Sequence, residues 1–230
     1  MLLIADLGNN HFGDFEKAKE LIRAAHESGA DLIKGQAFNA VDVNGSMPNQ
    51  FYEDCQFSIS QYIDLIYYAK SIGAEMFYSI FSREFDDVRK YQRHFKIAAS
   101  QSLKYTAEDF KCLDYANMII SVSDTAKLSR DIAPDKLEYA NILYATPYLP
   151  KENFVNFTKF FRLKDIAVNF GISDHCIGIK NCILAHNHGA TIIEKHFTLE
   201  KEMHYAEHKF RDTIHGSTPK EFEKLAKAVK

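Results

Sequence analysis

The sequence lacks the long apolar segments and the cysteine patterns that mark membrane proteins and disulfide-rich proteins. None of its 230 residues lies in a run close to the roughly 18 apolar residues that a membrane-spanning helix needs. The apolar start before Asp6 is too short for a secretion signal and has no basic flank. The four cysteines are scattered without CxxC spacing, which indicates free thiols in a reducing compartment. We therefore expect a cytoplasmic protein with no membrane partner.

A strong charge excess and the common nucleotide-binding loops are also missing. The formal net charge is only −3, and basic residues alternate with acidic ones, so a nucleic-acid partner is not expected. There is no GxGxxG segment, no phosphate loop, and no Ser or Cys in a local nucleophile signature. No Gly/Ser linker or low-complexity segment divides the chain. Residues 1–230 are therefore expected to form one domain, which is long enough to bury a sizeable core.

Strand-like and helix-like segments alternate eight times along the chain. The predicted strands cover residues 2–7, 32–38, 75–81, 95–100, 117–122, 141–146, 165–173 and 191–197. The predicted helices cover residues 15–28, 60–72, 83–91, 106–114, 124–132, 152–161, 179–187 and 219–229. Several strands are continuous apolar runs, as expected for parallel strands that are covered on both faces. The alternation predicts an α/β protein, specifically a (β/α)8 TIM barrel.

Polar side chains interrupt these apolar strands near their C-terminal ends, the side on which barrel enzymes build their active sites. They include Lys34, Gln36, Lys96, His175 and the Glu194-Lys195-His196 segment. An unpaired charge inside a buried strand is costly, so each of these groups needs a partner or a ligand. We expect them to converge on one cavity.

Several of these residues have two interpretations. His175 and His196 end neighbouring strands, where they are either a pair of metal ligands or two hydrogen-bonded core histidines. Lys34 and Lys96 either bind an anionic substrate group or extend out of the barrel mouth. The serines that end strands donate to an anion or cap the next helix; they are Ser79, Ser100 and Ser121.

Four segments carry a family resemblance. IADLGNNHFGDFEKAKELIRAAHESGADLIKGQAF resembles the opening of the sialic acid synthase family, in which Ile-Ala-Glu-Ile-Gly-x-Asn-His-x-Gly leads to Val-Lys-Phe-Gln. FKIAAS is similar to that family's Lys-Ile strand. GISDHCIG resembles its Gly-x-Ser-Asp-His-Thr-x-Gly motif, and GATIIEKHFTLEK resembles its Gly-Ala-x-x-Ile-Glu-Lys-His-Phe-Thr-Leu segment. The motifs occur in the family's order from Ile4 to about Phe222.

The resemblance implies a reaction and a set of site residues. Family members condense phosphoenolpyruvate with an aldehyde sugar, with a divalent metal that is often manganese; magnesium and cobalt are alternatives. It implies His175 and His196 as metal ligands and a catalytic set of Asp6, Lys34, Gln36 and Lys96. It implies substrate contacts from Ser79, Ser100, Gln101, Ser121, Tyr148, Ser173, Asp174 and Glu207, with Asp174 also orienting groups around His175. Partners would be phosphoenolpyruvate, an aldose acceptor such as an N-acetylmannosamine-like amino sugar, and a second copy in a homodimer.

The chain departs from the family pattern at several positions. Asp6 stands for the family's Glu, Gly35 for its Phe, and Ala99-Ser100-Gln101 for its Ser-Gly-Glu. Tyr148 aligns with the family tyrosine only with a shift, and Tyr205-Ala206-Glu207-His208 stands for Gly-Pro-Asp-His. The family's C-terminal antifreeze-like domain is expected to be absent. Two alternatives stay open: a related deoxy-sugar-acid synthase with another acceptor, and a catalytically altered barrel that acts as a binding or regulatory partner.

Overall fold

The computed structural model describes residues 1–43, 47–100, 117–123, 141–148, 157–201, 204–205, 208–209 and 211–230. The predicted helices 106–114 and 124–132 lie outside these residues, as do the predicted site residues Gln101 and Glu207.

Eight parallel strands close into a barrel in chain order, with the last strand paired to the first. They are β1 (Leu2–Gly8), β2 (Leu32–Ala37), β3 (Met76–Ile80), β4 (Phe95–Ile97), β5 (Met118–Val122), β6 (Asn141–Ala145), β7 (Asn169–Asp174) and β8 (Ile192–His196). Each strand pairs with its sequence neighbour, which is the topology of repeated βα units. The predicted TIM barrel is confirmed.

The helices of the described part surround this barrel. The α-helices are Phe15–Glu27, Asn49–Cys55, Ile59–Ser71, Thr158–Lys164, Lys180–Asn187, Arg211–His215 and Pro219–Val229. Two 3₁₀ helices span Ala40–Asp42 and Arg83–Tyr91. Among the described helices, none is long and apolar enough to cross a membrane.

Some predicted boundaries were wrong. Residues 165–168 were assigned to a strand, but Ile166 and Ala167 donate their backbone N–H groups to Leu163 O and so end the preceding helix. Their apolar character comes from packing on the helical layer. Segment 83–91 is a 3₁₀ helix, and β4 ends at Ile97 rather than at Ser100. The helices Asn49–Cys55 and Arg211–His215 lie in segments for which no helix or strand was predicted.

The first helix shows how local sequence fixes an element. The Asp14 side chain accepts the backbone N–H of Lys17 at 3.0 Å and caps the N-terminus. Four residues at helical spacing are buried against the barrel: Ala18, Leu21, Ile22 and Ala25. Gly29 follows the helix with φ +93°, a left-handed conformation that favours glycine.

Two apolar layers position the site. The larger core lies between the outward faces of the strands and the helices. Inside the barrel, a smaller cluster fills the lower half; its members are Ile4, Leu32, Phe77, Ile119, Leu143 and Ile192. Because side chains on one face recur every second residue, the next inward positions are Asp6, Lys34, Ser79, Ser121, Ala145 and Glu194. In five of these six strands the inward side chain therefore changes from apolar to polar within one step, which places a polar layer above an apolar floor.

Candidate active site

A cavity of about 280 Å³ opens above this polar layer, at the C-terminal ends of the strands. It brings together eleven of the residues singled out in the sequence: Asp6, Lys34, Gln36, Lys96, Ser100, Ser121, Tyr148, Ser173, His175, Glu194 and His196. These side chains come from seven of the strands or from the loops that follow them, as barrel active sites require.

Glu194 is the central carboxylate of the cavity. Its Oε2 atom lies 2.8 Å from Lys96 Nζ, and its Oε1 atom lies 3.6 Å from Lys34 Nζ. The Ser173 hydroxyl donates to the same Oε1 at 2.6 Å. Lys34 Nζ makes a second ion pair with Asp6 Oδ2 at 2.8 Å. All five side chains are nearly inaccessible to solvent, so the two lysines and two carboxylates form one buried charge network.

Burial and the neighbouring charges set the protonation of this network. Burial acts to raise the pKa of Glu194, but Lys34 and Lys96 together hold it well below its ordinary value. Burial lowers the pKa of Lys96 to about 8, with Glu194 opposing that change. For Lys34 burial also acts downward, but Asp6 and Glu194 raise its pKa above the ordinary value. Glu194 is therefore ionised at neutral pH, and Lys34 remains cationic.

His175 is held in one orientation by the end of β6. Its backbone N–H donates to Thr146 Oγ1 at 2.8 Å, and its Nδ1 lies 2.9 Å from the Thr146 carbonyl oxygen. Since a carbonyl oxygen only accepts, Nδ1 carries the proton and Nε2 keeps its lone pair. Burial, reinforced by His196, lowers the pKa of His175 to about 4. A neutral imidazole with a defined tautomer is the form that binds metals.

His196 lies beside His175, with ring centroids 5.1 Å apart. Its Nδ1 is 3.3 Å from Asp6 Oδ2, although the angle falls outside hydrogen-bond geometry. Its Nε2 is 3.2 Å from the Tyr148 hydroxyl and 3.7 Å from Asp212 Oδ1. The two imidazoles therefore share one corner of the cavity with a phenol and two carboxylates.

Asp174 and Lys195 lie outside the cavity. Strand alternation directs both side chains away from the barrel interior. On the outward side, Lys195 Nζ donates to Asp174 Oδ2 at 3.1 Å and to the Cys176 carbonyl oxygen. Asp174, predicted as a substrate contact, therefore does not line the cavity, and Lys195 does not join the other polar strand residues. Asp174 Oδ1 instead accepts the Thr146 hydroxyl at 3.2 Å. This bond links Asp174 to the residue that holds His175.

The predicted hydroxyl and amide groups differ in their surroundings. Ser121 lines the cavity, and its hydroxyl is buried with no hydrogen-bond partner among the described residues. Ser79 faces the barrel interior beside Lys96 but does not line the cavity, and its hydroxyl likewise has no described partner. Ser100 is exposed at the rim. Gln36 accepts from Asn9 Nδ2 at 3.4 Å.

Gly35, a departure from the family pattern, has no bearing on the cavity. It faces outward, and a Cβ atom placed there would lie 2.6 Å from Tyr78 Cε1. The Tyr78 ring therefore occupies the space that a larger side chain at position 35 would take. Glycine at position 35 is therefore matched by the Tyr78 ring in the layer between strands and helices.

Asp212 and Thr146 lie at the site but were not singled out in the sequence, whereas Glu194 was expected in the cavity without a specific role. A charge inside the apolar run IIEKHF was a signal for Glu194, and its even spacing from Ile192 places it on the inward face. Nothing in the letters distinguishes Asp212 from other acidic residues. Thr146 acts through its backbone carbonyl as well as its hydroxyl, and a backbone contact has no sequence signature.

The two histidines of the cavity offer donors that fit a divalent metal. Within the described ranges, no group of three His, Cys, Asp or Glu side chains is arranged to hold an ion. The residues present offer two imidazoles, of which His175 has a fixed tautomer and a free Nε2. Two protein ligands fit a cation that keeps water or substrate oxygens as its remaining ligands.

Comparison with known proteins identifies the family. The NeuB family profile matches residues 21–230. The chain belongs to the NeuB family.

Relatives of this chain are named as legionaminic acid and pseudaminic acid synthases. The chain is 29% identical to the N,N'-diacetyllegionaminic acid synthase of Campylobacter jejuni, a match that covers 90% of this chain and 70% of that enzyme. It is 25% identical to the pseudaminic acid synthase of Helicobacter pylori, over 99% of this chain and 73% of that enzyme. The crystal structure of sialic acid synthetase from Leptospira borgpetersenii, in complex with citrate, has the same fold: the TM-score is 0.81 at 23% identity, covering 99% of this chain and 82% of that one.

Proposed function

We propose that this protein is a synthase that condenses phosphoenolpyruvate with an aldose acceptor, such as an N-acetylated amino sugar, to form a sialic acid or a related nonulosonic acid. Membership of the NeuB family and the names of its relatives support this class of reaction. The observation that carries the proposal is the pairing of two features in one cavity. Buried lysines, and a serine hydroxyl that has no hydrogen-bond partner among the described residues, adjoin two neighbouring histidines.

The lysine side of the cavity suits phosphoenolpyruvate. Lys34 and Lys96 supply cationic groups for its phosphate and carboxylate, and Ser121 supplies a buried hydroxyl donor. Glu194 and Asp6 hold both ammonium groups in place when no substrate anion is bound. When the phosphoenolpyruvate anion binds, it takes over part of the pairing with the two ammonium groups. Its binding therefore requires little rearrangement of the lysines.

The histidine side suits the sugar aldehyde. His175 and His196 would hold a divalent metal, manganese in this proposal, which supplies Lewis-acid polarisation of the aldehyde oxygen. The cavity residues hold the acceptor carbon next to C3 of phosphoenolpyruvate, where the new carbon–carbon bond forms. Water then adds at C2, and phosphate leaves as the C–O bond breaks. Lys34 and Lys96 neutralise the charge that stays on the phosphate and carboxylate.

The direct test is phosphate release from phosphoenolpyruvate with Mn²⁺ and a panel of aldoses and N-acetylated hexosamines. We expect acceptor-dependent release, with a product whose mass equals acceptor plus pyruvate. Lys34→Met and Lys96→Met should abolish release, whereas Lys90→Met, which changes an exposed lysine paired with Asp87, should not. Metal binding without release for any acceptor would contradict the synthase and favour a binding or regulatory barrel.

A further inference from the structure

We propose that Lys195 is a positioning residue of the metal site, which holds the backbone on both sides of His175. The inference rests on the proposed function, because it takes His175 as a ligand of the cation. The Lys195 side chain has no solvent-accessible surface and does not line the cavity, so it touches neither the metal nor a substrate. Its effect on the site therefore passes through the groups that it contacts.

His175 lies just beyond the part of the sheet that would fix its position. The pairing of β7 with β8 ends at Asp174 and Lys195, so His175 is the first residue after the ladder. Buried backbone groups beyond a ladder need other hydrogen-bond partners. The His175 N–H donates to Thr146 Oγ1 at 2.8 Å, and the Cys176 N–H donates to Asp174 Oδ1 at 3.1 Å. The carbonyl oxygens on either side of His175 need donors of their own.

Lys195 supplies these donors. Its Nζ lies 3.4 Å from the Asp174 carbonyl oxygen and also donates to the Cys176 carbonyl oxygen. These are the carbonyl groups immediately before and after His175. The third contact of Nζ is Asp174 Oδ2 at 3.1 Å. An ammonium group has three N–H donors and no acceptor, so these three oxygens match its full capacity.

Lys195 also joins the positions of the two histidines. It directly precedes His196 in β8, and successive strand side chains point to opposite faces. His196 therefore faces the cavity while Lys195 binds the backbone around His175 from the outer side. A shift of that backbone relative to β8 would change the separation of the two imidazoles. Metal–ligand distances tolerate only about 0.2 Å, so the site needs this link.

The buried ion pair of Lys195 with Asp174 also contributes to folding, and substitutions can separate the two roles. Asp174→Asn removes the counter-charge but keeps an Oδ1 acceptor and leaves both carbonyl contacts of Lys195 in place. Lys195→Met removes all three donors and leaves the Asp174 carboxylate buried without a cation. In the double variant neither charge remains, but the two carbonyl groups still lack their donor. Stability should therefore depend on whether the charges match, whereas metal affinity should depend on Lys195.

The test is Mn²⁺ titration by calorimetry, together with thermal unfolding, of the two single variants and the double variant. We expect Lys195→Met to weaken Mn²⁺ binding by about tenfold or more, the range for groups that orient metal ligands. Asp174→Asn should weaken it by less. The double variant should unfold at a higher temperature than Lys195→Met, because the unpaired carboxylate is gone, yet bind Mn²⁺ as weakly. If Lys195→Met does not fold, the double variant supplies the affinity.

Controls separate the possible failures. Lys227→Met and Glu223→Gln change an exposed ion pair on the last helix, and both should leave Mn²⁺ affinity and the unfolding temperature unchanged. Metal-free phosphoenolpyruvate titration shows whether the anion site of each variant is intact. Unchanged Mn²⁺ affinity in Lys195→Met, or an affinity that recovers with thermal stability in the double variant, would overturn the inference while the proposed function stands. Absence of Mn²⁺ binding by the unaltered protein would instead overturn the metal site of the proposed function, and this inference with it.

Discussion

Lys96 and Glu194 form a buried ion pair at 2.8 Å although 98 residues separate them in the chain. They belong to β4 and β8, which lie on opposite sides of the closed barrel, so the pair spans the interior. Lys34 and Ser173 contact the same carboxylate from two other strands. Glu194 therefore determines where the cationic groups of the cavity lie before any ligand arrives.

Replacement of Glu194 tests this arrangement. Glu194→Gln leaves two buried ammonium groups without their shared counter-charge, and breaking such a pair costs about 3–5 kcal/mol. We expect the free energy of unfolding, measured with urea, to fall by this order. Added phosphate should restore more stability to the variant than to the unaltered protein. Glu223→Gln, which removes an exposed partner of Lys227, should change stability by less than about 0.5 kcal/mol.

Thr146 is the connection between the Asp174–Lys195 pair and His175. Thr146→Val keeps the side-chain shape but removes the hydroxyl that accepts the His175 N–H and donates to Asp174. We expect Mn²⁺ affinity to fall by about 10-fold or more, as for other residues that orient a metal ligand. Phosphoenolpyruvate affinity without metal should stay within twofold, because the lysines are not part of this connection. Equal losses for both ligands would show that the substitution disturbs the whole cavity.

Gly35 should tolerate no side chain while Tyr78 is present. Gly35→Ala places a Cβ atom 2.6 Å from a Tyr78 ring carbon, and overpacking of this kind costs about 1–3 kcal/mol. The matched test is Tyr78→Leu: the double variant should lose less stability than the sum of the single variants. Strict additivity in urea unfolding would contradict the packing explanation.

His11 gives the protein a pH-dependent stability below neutrality. It is buried and stacked on Phe57 with ring centroids 4.6 Å apart, and burial lowers its pKa from 6.5 to about 4. The unfolded chain therefore binds a proton between these two values that the folded chain does not. The His11 contribution is complete above pH 6.5 and is lost progressively toward pH 4, by at most about 1.4 kcal/mol per pH unit.

The measurement is urea unfolding of the unaltered protein and of His11→Asn from pH 7.5 to pH 5. The variant should be less stable at neutral pH because it lacks the ring that stacks on Phe57. Its stability should decline less as the pH falls, because it has no imidazole to protonate. Parallel curves for the two proteins would show that His11 does not titrate in this way.

The fold was largely predictable because the barrel repeats one pattern. Apolar strands of similar length alternated with amphipathic helices, so errors at single boundaries did not change the topology. The error at 165–168 arose because Ile166 and Ala167 are apolar for packing on the helical layer rather than for a place in β7. Apolar residues occur both at such a helix end and in a buried strand, and here only the backbone hydrogen bonds to Leu163 distinguish the two.

The site was predictable where chemistry and strand spacing agreed. Lys34, Lys96 and His196 are costly inside a buried strand, His175 directly follows one, and all four line the cavity. Asp174 and Lys195 show the limit of that reasoning, since a buried charge can also be satisfied on the outward face by its neighbour. Asp212 could not be singled out, because its distance from Tyr148 depends on how the chain turns after β8.

The most direct measurement is an anomalous-difference map from crystals soaked with Mn²⁺ and phosphoenolpyruvate. We expect one strong Mn²⁺ peak between His175 and His196, with the phosphoenolpyruvate anion on Lys34, Lys96 and Ser121 in the same cavity. Mn²⁺ bound elsewhere, or phosphoenolpyruvate absent from these lysines at saturating concentration, would contradict it.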